Sequence, residues 1–334
     1  MKSQALLLFF ALCSPALARD WSRFPAVVEV DKAPEIFAVG DAHSDPVRLA
    51  KVLQAAHVID AQQNWIAGSA VLVSTGDMID KGPSGLGVIR LLRKLRDTAP
   101  AKGGRVVLLA GNHEAEFLSD PTLAKVKMFA AELKAAGIQP ADVAACKGEI
   151  GEFLCTLPFA ARVNDTFFSH AGNSGGRTIA RLEKDIETDF DQHGFAAAQL
   201  IGDGSVIEAR LNGEGKGREP WIDAGLPQRS EKQLLTDYTK ALGVARIVEG
   251  HVPSEVKFED NVTRAHGEMF QKSGLLFLID TGMSEGVNDS QGAVLHVTFK
   301  APASAEAICP DGHPTPLWDA AANQPFGRAA ACGR

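Results

Sequence analysis

Five glycine-marked blocks, each closing a short apolar run, constrain this chain more than anything else in it. The runs EIFAVG, AVLVSTG, RVVLLAGN, DTFFSHAG and ARIVEG lead into GDAHSD (40–45), GDMIDKG (76–82), GNHE (111–114), SHAG (169–172) and GH (250–251). Short, nearly continuous runs rich in β-branched and aromatic residues read as strands buried on both faces. Helical spacing fills the gaps at 46–62 (with Asp45 as N-cap), 87–96, 178–190 and 231–242. Such alternation predicts an α/β domain. In open α/β sheets, ligands collect beyond the carboxyl ends of the strands, so the five loops are expected to converge on one place. A glycine ahead of Asp41, Asp77, Asn112 and His251 lets the backbone turn sharply and leaves room for a metal or substrate.

The residues delivered there are Asp41, His43, Asp77, Asn112, His170 and His251. Carboxylate, imidazole and amide oxygen together suit Mn, Fe, Zn or Co, whereas calcium would want oxygen alone. The expected arrangement is two divalent ions, with manganese the expected loading and iron or zinc the alternatives. Asp41 and His43 hold one ion, Asn112, His170 and His251 the other, and Asp77 bridges. Two such ions about 3.5–4 Å apart clamp the oxygens of a phosphate and bring the pKa of bound water towards roughly 7. His113, next to Asn112, is placed to protonate the leaving oxygen, and Asp80, three residues past Asp77, to hold the His113 ring. Glu114 reads as a helix-start acid. His57, His193, His266, His296 and His313 lack the post-strand glycine and read as surface or structural.

One domain is expected over 19–334, with helical insertions near 115–160, read as a cap beside the site, and 175–245. An irregular tail is expected over 300–334, where Ala, Pro and Gly are frequent. Residues 1–18 read as a signal peptide: a basic start, an apolar core at 5–12 and the small-x-small site Ala16-Leu17-Ala18. That implies a periplasmic or secreted protein, with no membrane attachment once the signal is removed. After Cys13 leaves with the signal, Cys146, Cys155, Cys309 and Cys332 remain. They allow three pairings, of which sequence neighbours favour Cys146–Cys155 and Cys309–Cys332. A zinc site would want CxxC spacing, which is lacking. A net charge of −7 without blocks of like charge disfavours a nucleic-acid groove or an anionic membrane surface as partner.

In these motifs the chain resembles the calcineurin-like metallophosphoesterase superfamily. Within it, the chain is similar to the phosphoprotein phosphatases, whose signatures run GDxHG, GDxxDRG, GNHE, HG and GH. GHVP (250–253) and LIDTGMS (278–284) look nearest to the Shewanella-like and exported bacterial members. The resemblance spans roughly 35–300. It implies a central β-sandwich flanked by helices, a dinuclear metal centre and hydrolysis of phosphomonoesters, either phosphoprotein Ser/Thr/Tyr phosphate or small molecules. Phosphodiester or dinucleotide polyphosphate hydrolysis, and a catalytically weak metal-dependent binding protein, are the rival readings. Three positions depart from the family pattern: Ser44 and Ala171 replace glycines, and Lys81 replaces a phosphate-gripping arginine. Lysine keeps the charge but loses the planar two-toothed grip. Asn112 and Lys81 are expected at the phosphate, together with a second arginine, Arg210 in preference to Arg218.

Overall fold

The computed structural model describes residues 19–211, 219–288, 290–322 and Cys332; residues 1–18, expected to be a signal peptide, and Arg218 lie outside them. Fourteen strands are present among the described residues. They are β1 (Val27–Val30), β2 (Glu35–Val39), β3 (Val71–Ser74), β4 (Arg105–Leu108), β5 (Ala160–Val163), β6 (Thr166–Ser169), β7 (Arg246–Glu249), β8 (Val256–Lys257), β9 (Thr263–Arg264), β10 (Phe270–Lys272), β11 (Leu276–Leu278), β12 (Val294–Thr298), β13 (Ser304–Ile308) and β14 (Pro314–Asp319). One six-stranded sheet runs β1-β5-β6-β7-β11-β10 and another β14-β13-β12-β2-β3-β4, while β8 and β9 form a separate ribbon.

The two sheets share an inner layer. Ile36, Ala38, Val71, Val73 and Val107 from one, and Ala161, Val163, Phe168, Val248 and Phe277 from the other, form a single buried cluster. The alternate residues Phe37, Val39, Leu72, Phe167 and Ile247 are also buried, in a second cluster with Leu49, Leu53, Ile89, Leu92, Leu182 and Leu234 from the helices. The molecule is therefore a β-sandwich with helices on its outer faces. Burial on both sides is why its strands lack a polar alternation.

The helices that cover the outer faces or border the site are α1 (Pro46–Ala55), α2 (Gly85–Thr98), α3 (Asn112–Ser119), α4 (Lys127–Ala135), α5 (Pro140–Ala144), α6 (Gly148–Cys155), α7 (Ile179–His193), α8 (Ala198–Ile201) and α9 (Glu231–Leu242). Asp45 caps α1, its carboxylate accepting from the Arg48 amide. That helix stops at Ala55 rather than at 62, because His57 takes a positive φ of 54° that a helix cannot continue through. No helix among the described residues is long and apolar enough to cross a membrane.

The tail corrects the sequence reading. Instead of being irregular from 300 onward, β13 and β14 extend the second sheet antiparallel from β12. The period-two signal there is carried by Ala305 and Ala307, which are buried but too small to stand out. The prolines at 314 and 316 are tolerated because β14 is an edge strand. Both expected disulfides are present, Cys146–Cys155 with Cα atoms 5.7 Å apart and Cys309–Cys332 with 5.2 Å.

Candidate metal centre

Strands β2, β3 and β4 are mutually parallel, as are β6, β7 and β11. Their carboxyl ends deliver Asp41, Asp77 and Asn112 from one sheet, and His170, His251 and Asp280 from the other. The glycines ahead of these residues do more than turn the chain. A Cβ on Gly111 would lie 2.2 Å from Asp77 Oδ1, and one on Gly250 would lie 2.3 Å from Asp41 Oδ1. Each glycine makes space for a carboxylate arriving from another loop. His43, Asp77, Asp80, Lys81 and His251 all adopt positive φ, between 37° and 68°. Bulky residues hold this backbone only when the surroundings over-determine it. Ser44 also stands at φ 60°, a natural glycine conformation.

Asp77 Oδ2 is the centre of the arrangement. It lies 3.5 Å from His43 Nε2, 3.3 Å from His170 Nε2 and 3.9 Å from His113 Nε2. His43, Asp77 and His113 form one group of buried donor atoms, and Asp77, His170 and His251 another. Asp41 Oδ2 is 3.8 Å from His43 Nε2, and Asn112 Oδ1 is 3.1 Å from His170 Nε2. The remaining imidazole nitrogens are already engaged. His43 Nδ1 donates to the Ile79 carbonyl at 3.1 Å, His170 Nδ1 to Thr75 at 3.0 Å, and His251 Nε2 to Glu208 at 3.3 Å. Those carbonyls only accept, so His43 Nε2, His251 Nδ1 and, once its second proton leaves, His170 Nε2 are the nitrogens that can face a cation.

A buried ring of imidazole nitrogens and carboxylates fits a divalent cation. Burial alone would raise the Asp77 carboxyl, yet the charges of His170 and His113 hold it well below the carboxylate range. Burial would lower the His170 imidazole, but Asp77 and Asp41 lift it to about 9. His43 and His251 are pushed well below the usual range, first by burial; Lys81 adds to this at His43, His170 and Arg210 at His251. Burial, aided by Asp280 and partly opposed by His170, pushes Asp41 well up.

Around this core, Asp80 Oδ2 sits 3.4 Å from His113 Nδ1, while its Oδ1 accepts from the Phe129 amide at 2.9 Å. Helix α4 thus orients the carboxylate that faces His113. Lys81 Nζ points at His43 Nε2 from 3.1 Å. Arg210 is close enough to depress His251. Glu114 is the helix-start acid expected, at the third position of α3, but its carboxylate also accepts from the amides of Asp77, Met78, Ile79 and Gly111, three of them at 2.8 Å. His57, His193, His266 and His313 are exposed, and His296 lies between Glu35 and Glu306, away from the site.

Asp280 and Glu208 escaped the sequence reading. Asp280 precedes its glycine by two residues instead of following it, and Glu208 lies in a connection without strand or glycine signal.

Residues 34–264 match the calcineurin-like phosphoesterase family. The chain is 30% identical over 266 residues to an uncharacterized protein of Schizosaccharomyces pombe, an alignment covering 74% of this chain and 73% of that one. It is 31% identical to Shewanella-like protein phosphatase 1 of Plasmodium berghei over 142 residues, 41% of this chain and 39% of the other. Among solved structures, the cold-active protein-tyrosine phosphatase of a psychrophilic Shewanella superposes with a TM-score of 0.67 at 19% identity. It covers 87% of this chain and 83% of that one. At that identity the likeness establishes the fold.

Proposed function

The chain belongs to the calcineurin-like phosphoesterase family, and from that premise we propose that it is an exported, dinuclear-metal phosphomonoesterase acting on phosphoprotein or small-molecule phosphate. The family is one of phosphoesterases, and the Plasmodium and Shewanella relatives are phosphatases by name, which supports phosphoester hydrolysis. The observation that carries the dinuclear reading is Asp77 Oδ2, one carboxylate oxygen shared by two groups of buried imidazoles. Asp41, His43 and Asp77 would hold one ion, and Asp77, Asn112, His170 and His251 the other, with manganese the first choice and iron or zinc fitting the same donors. Two bound ions supply an activated water and neutralise the phosphate.

The protein's own groups do the rest. Lys81, Arg210 and the second Asn112 amide hydrogen hold the phosphate oxygens. His113 gives a proton to the departing oxygen from a ring that Asp80 holds in place. Asp80 is in turn kept from rotating by the Phe129 amide. That the Plasmodium and Shewanella relatives are protein phosphatases by name supports a phosphoprotein substrate. Two disulfides support export to an oxidising compartment, the periplasm or the outside.

The test is hydrolysis by metal-stripped protein reloaded with Mn²⁺, on an aryl phosphate, the matching diester, and phosphotyrosine and phosphothreonine peptides. Monoester turnover abolished by chelator and restored by metal is expected. Turnover confined to the diester would replace the reading with a phosphodiesterase, and metal occupancy without turnover on any ester would leave a binding protein.

A further inference from the structure

The connection between α8 and the glycine-rich stretch beyond Leu211 is fastened to all three loops that carry the second ion's residues. The Val206 carbonyl accepts from the Ala171 amide at 2.9 Å, directly after His170. The Glu208 carbonyl accepts from His251 Nε2 at 3.3 Å. The Glu208 side chain, 3% exposed, accepts from Asn112 Nδ2 at 2.6 Å. Lys125 Nζ lies 3.4 Å from the same Glu208 oxygen and 2.6 Å from Glu116 Oε1, on the helix that begins with Asn112. The Glu208 amide donates to Ser205 Oγ, and that hydroxyl to the Leu200 carbonyl, so the segment is itself fixed.

Donor and acceptor chemistry turns these contacts into a constraint. A side-chain amide has two ends, and only its nitrogen donates. An ionised carboxylate only accepts, so Asn112 must turn its NH₂ towards Glu208 and its oxygen towards His170 Nε2, 3.1 Å away. A backbone carbonyl also only accepts, so His251 carries its hydrogen on Nε2 and aims Nδ1 inward. Without Glu208 the Asn112 amide nitrogen would lose the acceptor that holds it.

We infer that Glu208 is a positioning residue, whose side chain sets the amide of Asn112 and whose carbonyl sets the tautomer of His251 for the second ion. Partners of this kind outside the ligand shell typically carry about 10–100-fold in metal affinity. The inference rests on the ligand assignment proposed above, and the experiment separates the two. Metal-stripped protein carrying Glu208→Ala or Glu208→Gln is titrated with Co²⁺, following heat and the visible absorption of the ion, beside Asn112→Ala and His251→Ala.

The expected result is a roughly 10–100-fold weaker second binding event for Glu208→Ala. Its visible spectrum should change while thermal unfolding of the metal-free protein does not. Glu208→Gln, which can still accept but no longer dictates the amide's direction, should fall between Glu208→Ala and the parent. This near-isosteric variant carries the test should Glu208→Ala fail to fold. If Asn112→Ala and His251→Ala weaken the second event and neither Glu208 variant does, the inference is overturned. If none of the four changes Co²⁺ binding, the ligand assignment falls, and this inference with it.

Discussion

His170 and His251 face each other across 3.0 Å, Nε2 to Nδ1, while the other nitrogen of each already donates to a backbone carbonyl. Two lone pairs at that distance repel unless a proton or a cation lies between them. In the metal-free protein the proton belongs to His170, lifted to about 9 by Asp77 and Asp41 against the lowering effect of burial. The folded value is raised above the unfolded one. The resulting stability is therefore fully present below the ordinary value of 6.5 and lost as pH rises through about 9. Metal must displace this proton, so affinity for Mn²⁺ should climb about tenfold per pH unit between those limits. Titration of stripped protein across that range checks it, and a flat affinity would remove His170 from the ligand set.

Asp77→Asn should abolish the centre as a whole rather than half of it. Asp77 Oδ2 lies within 3.5 Å of a nitrogen in each group, and an amide in place of this carboxylate brings no charge. Bound metal should fall from two equivalents towards none, with turnover lower on the order of 10³-fold or more. Retention of one tight equivalent would mean that Asp77 does not bridge.

His113 stands near both roles, its Nε2 3.9 Å from Asp77 Oδ2 and its Nδ1 3.4 Å from Asp80. As a general acid, His113→Asn should lower kcat about 10²–10⁴-fold on alkyl phosphates. The loss should shrink on aryl phosphates with acidic phenols, which depart without a proton. Metal content should be unchanged, and Asp80→Asn should give the same leaving-group dependence in milder form. Loss of metal in His113→Asn would make the residue a ligand instead.

Much of this was readable in the chain because the physics was local. Helices cover both outer faces of the sandwich, so β2, β3, β4, β6 and β7 are continuous apolar runs. Close approach of loops demands glycine, so Gly111 and Gly250 mark where a neighbouring carboxylate arrives. The unread parts depend on partners distant in sequence. Ala305 and Ala307 become strand residues only beside β12. Asp280 matters because β11 lies parallel to β7, bringing its end near Asp41. Glu114 looks like any helix-start acid until four amides from two loops are found on it.

Lys81 Nζ lies 3.1 Å from His43 Nε2, the nitrogen proposed for the first ion. A cation held by His43 Nε2 would compete with that ammonium, and a displaced Lys81 would be free to meet the phosphate. Lys81→Ala should therefore bind the first metal more tightly while inorganic phosphate inhibits about tenfold more weakly, as expected for loss of a charged hydrogen bond. Lys81→Arg should strengthen phosphate inhibition through its two-toothed geometry. Metal titration and phosphate inhibition constants read both arms, and equal phosphate affinity in all three proteins would place Lys81 outside the substrate site.

The two disulfides should fail differently. By loop closure alone, Cys309–Cys332, 23 residues apart, contributes about 3.4 kcal/mol, and Cys146–Cys155, nine apart, about 2.6 kcal/mol. Their surroundings separate them further. The Cys332 carbonyl accepts from the Gln291 amide at 3.0 Å. The loop leading to Gln291 is held to α1 where Arg48 donates to the Met283 and Ser290 carbonyls. In the same loop, Ser284 Oγ donates to the Lys81 carbonyl at 3.1 Å. Opening the tail disulfide should therefore loosen the loop behind Lys81, whereas Cys146–Cys155 ties α6 to the residues just before it. Cys309→Ser should lower stability and raise KM together, while Cys146→Ser lowers stability with KM kept. Thermal unfolding beside steady-state kinetics distinguishes them. An unchanged KM in Cys309→Ser would show that the tail does not brace the site.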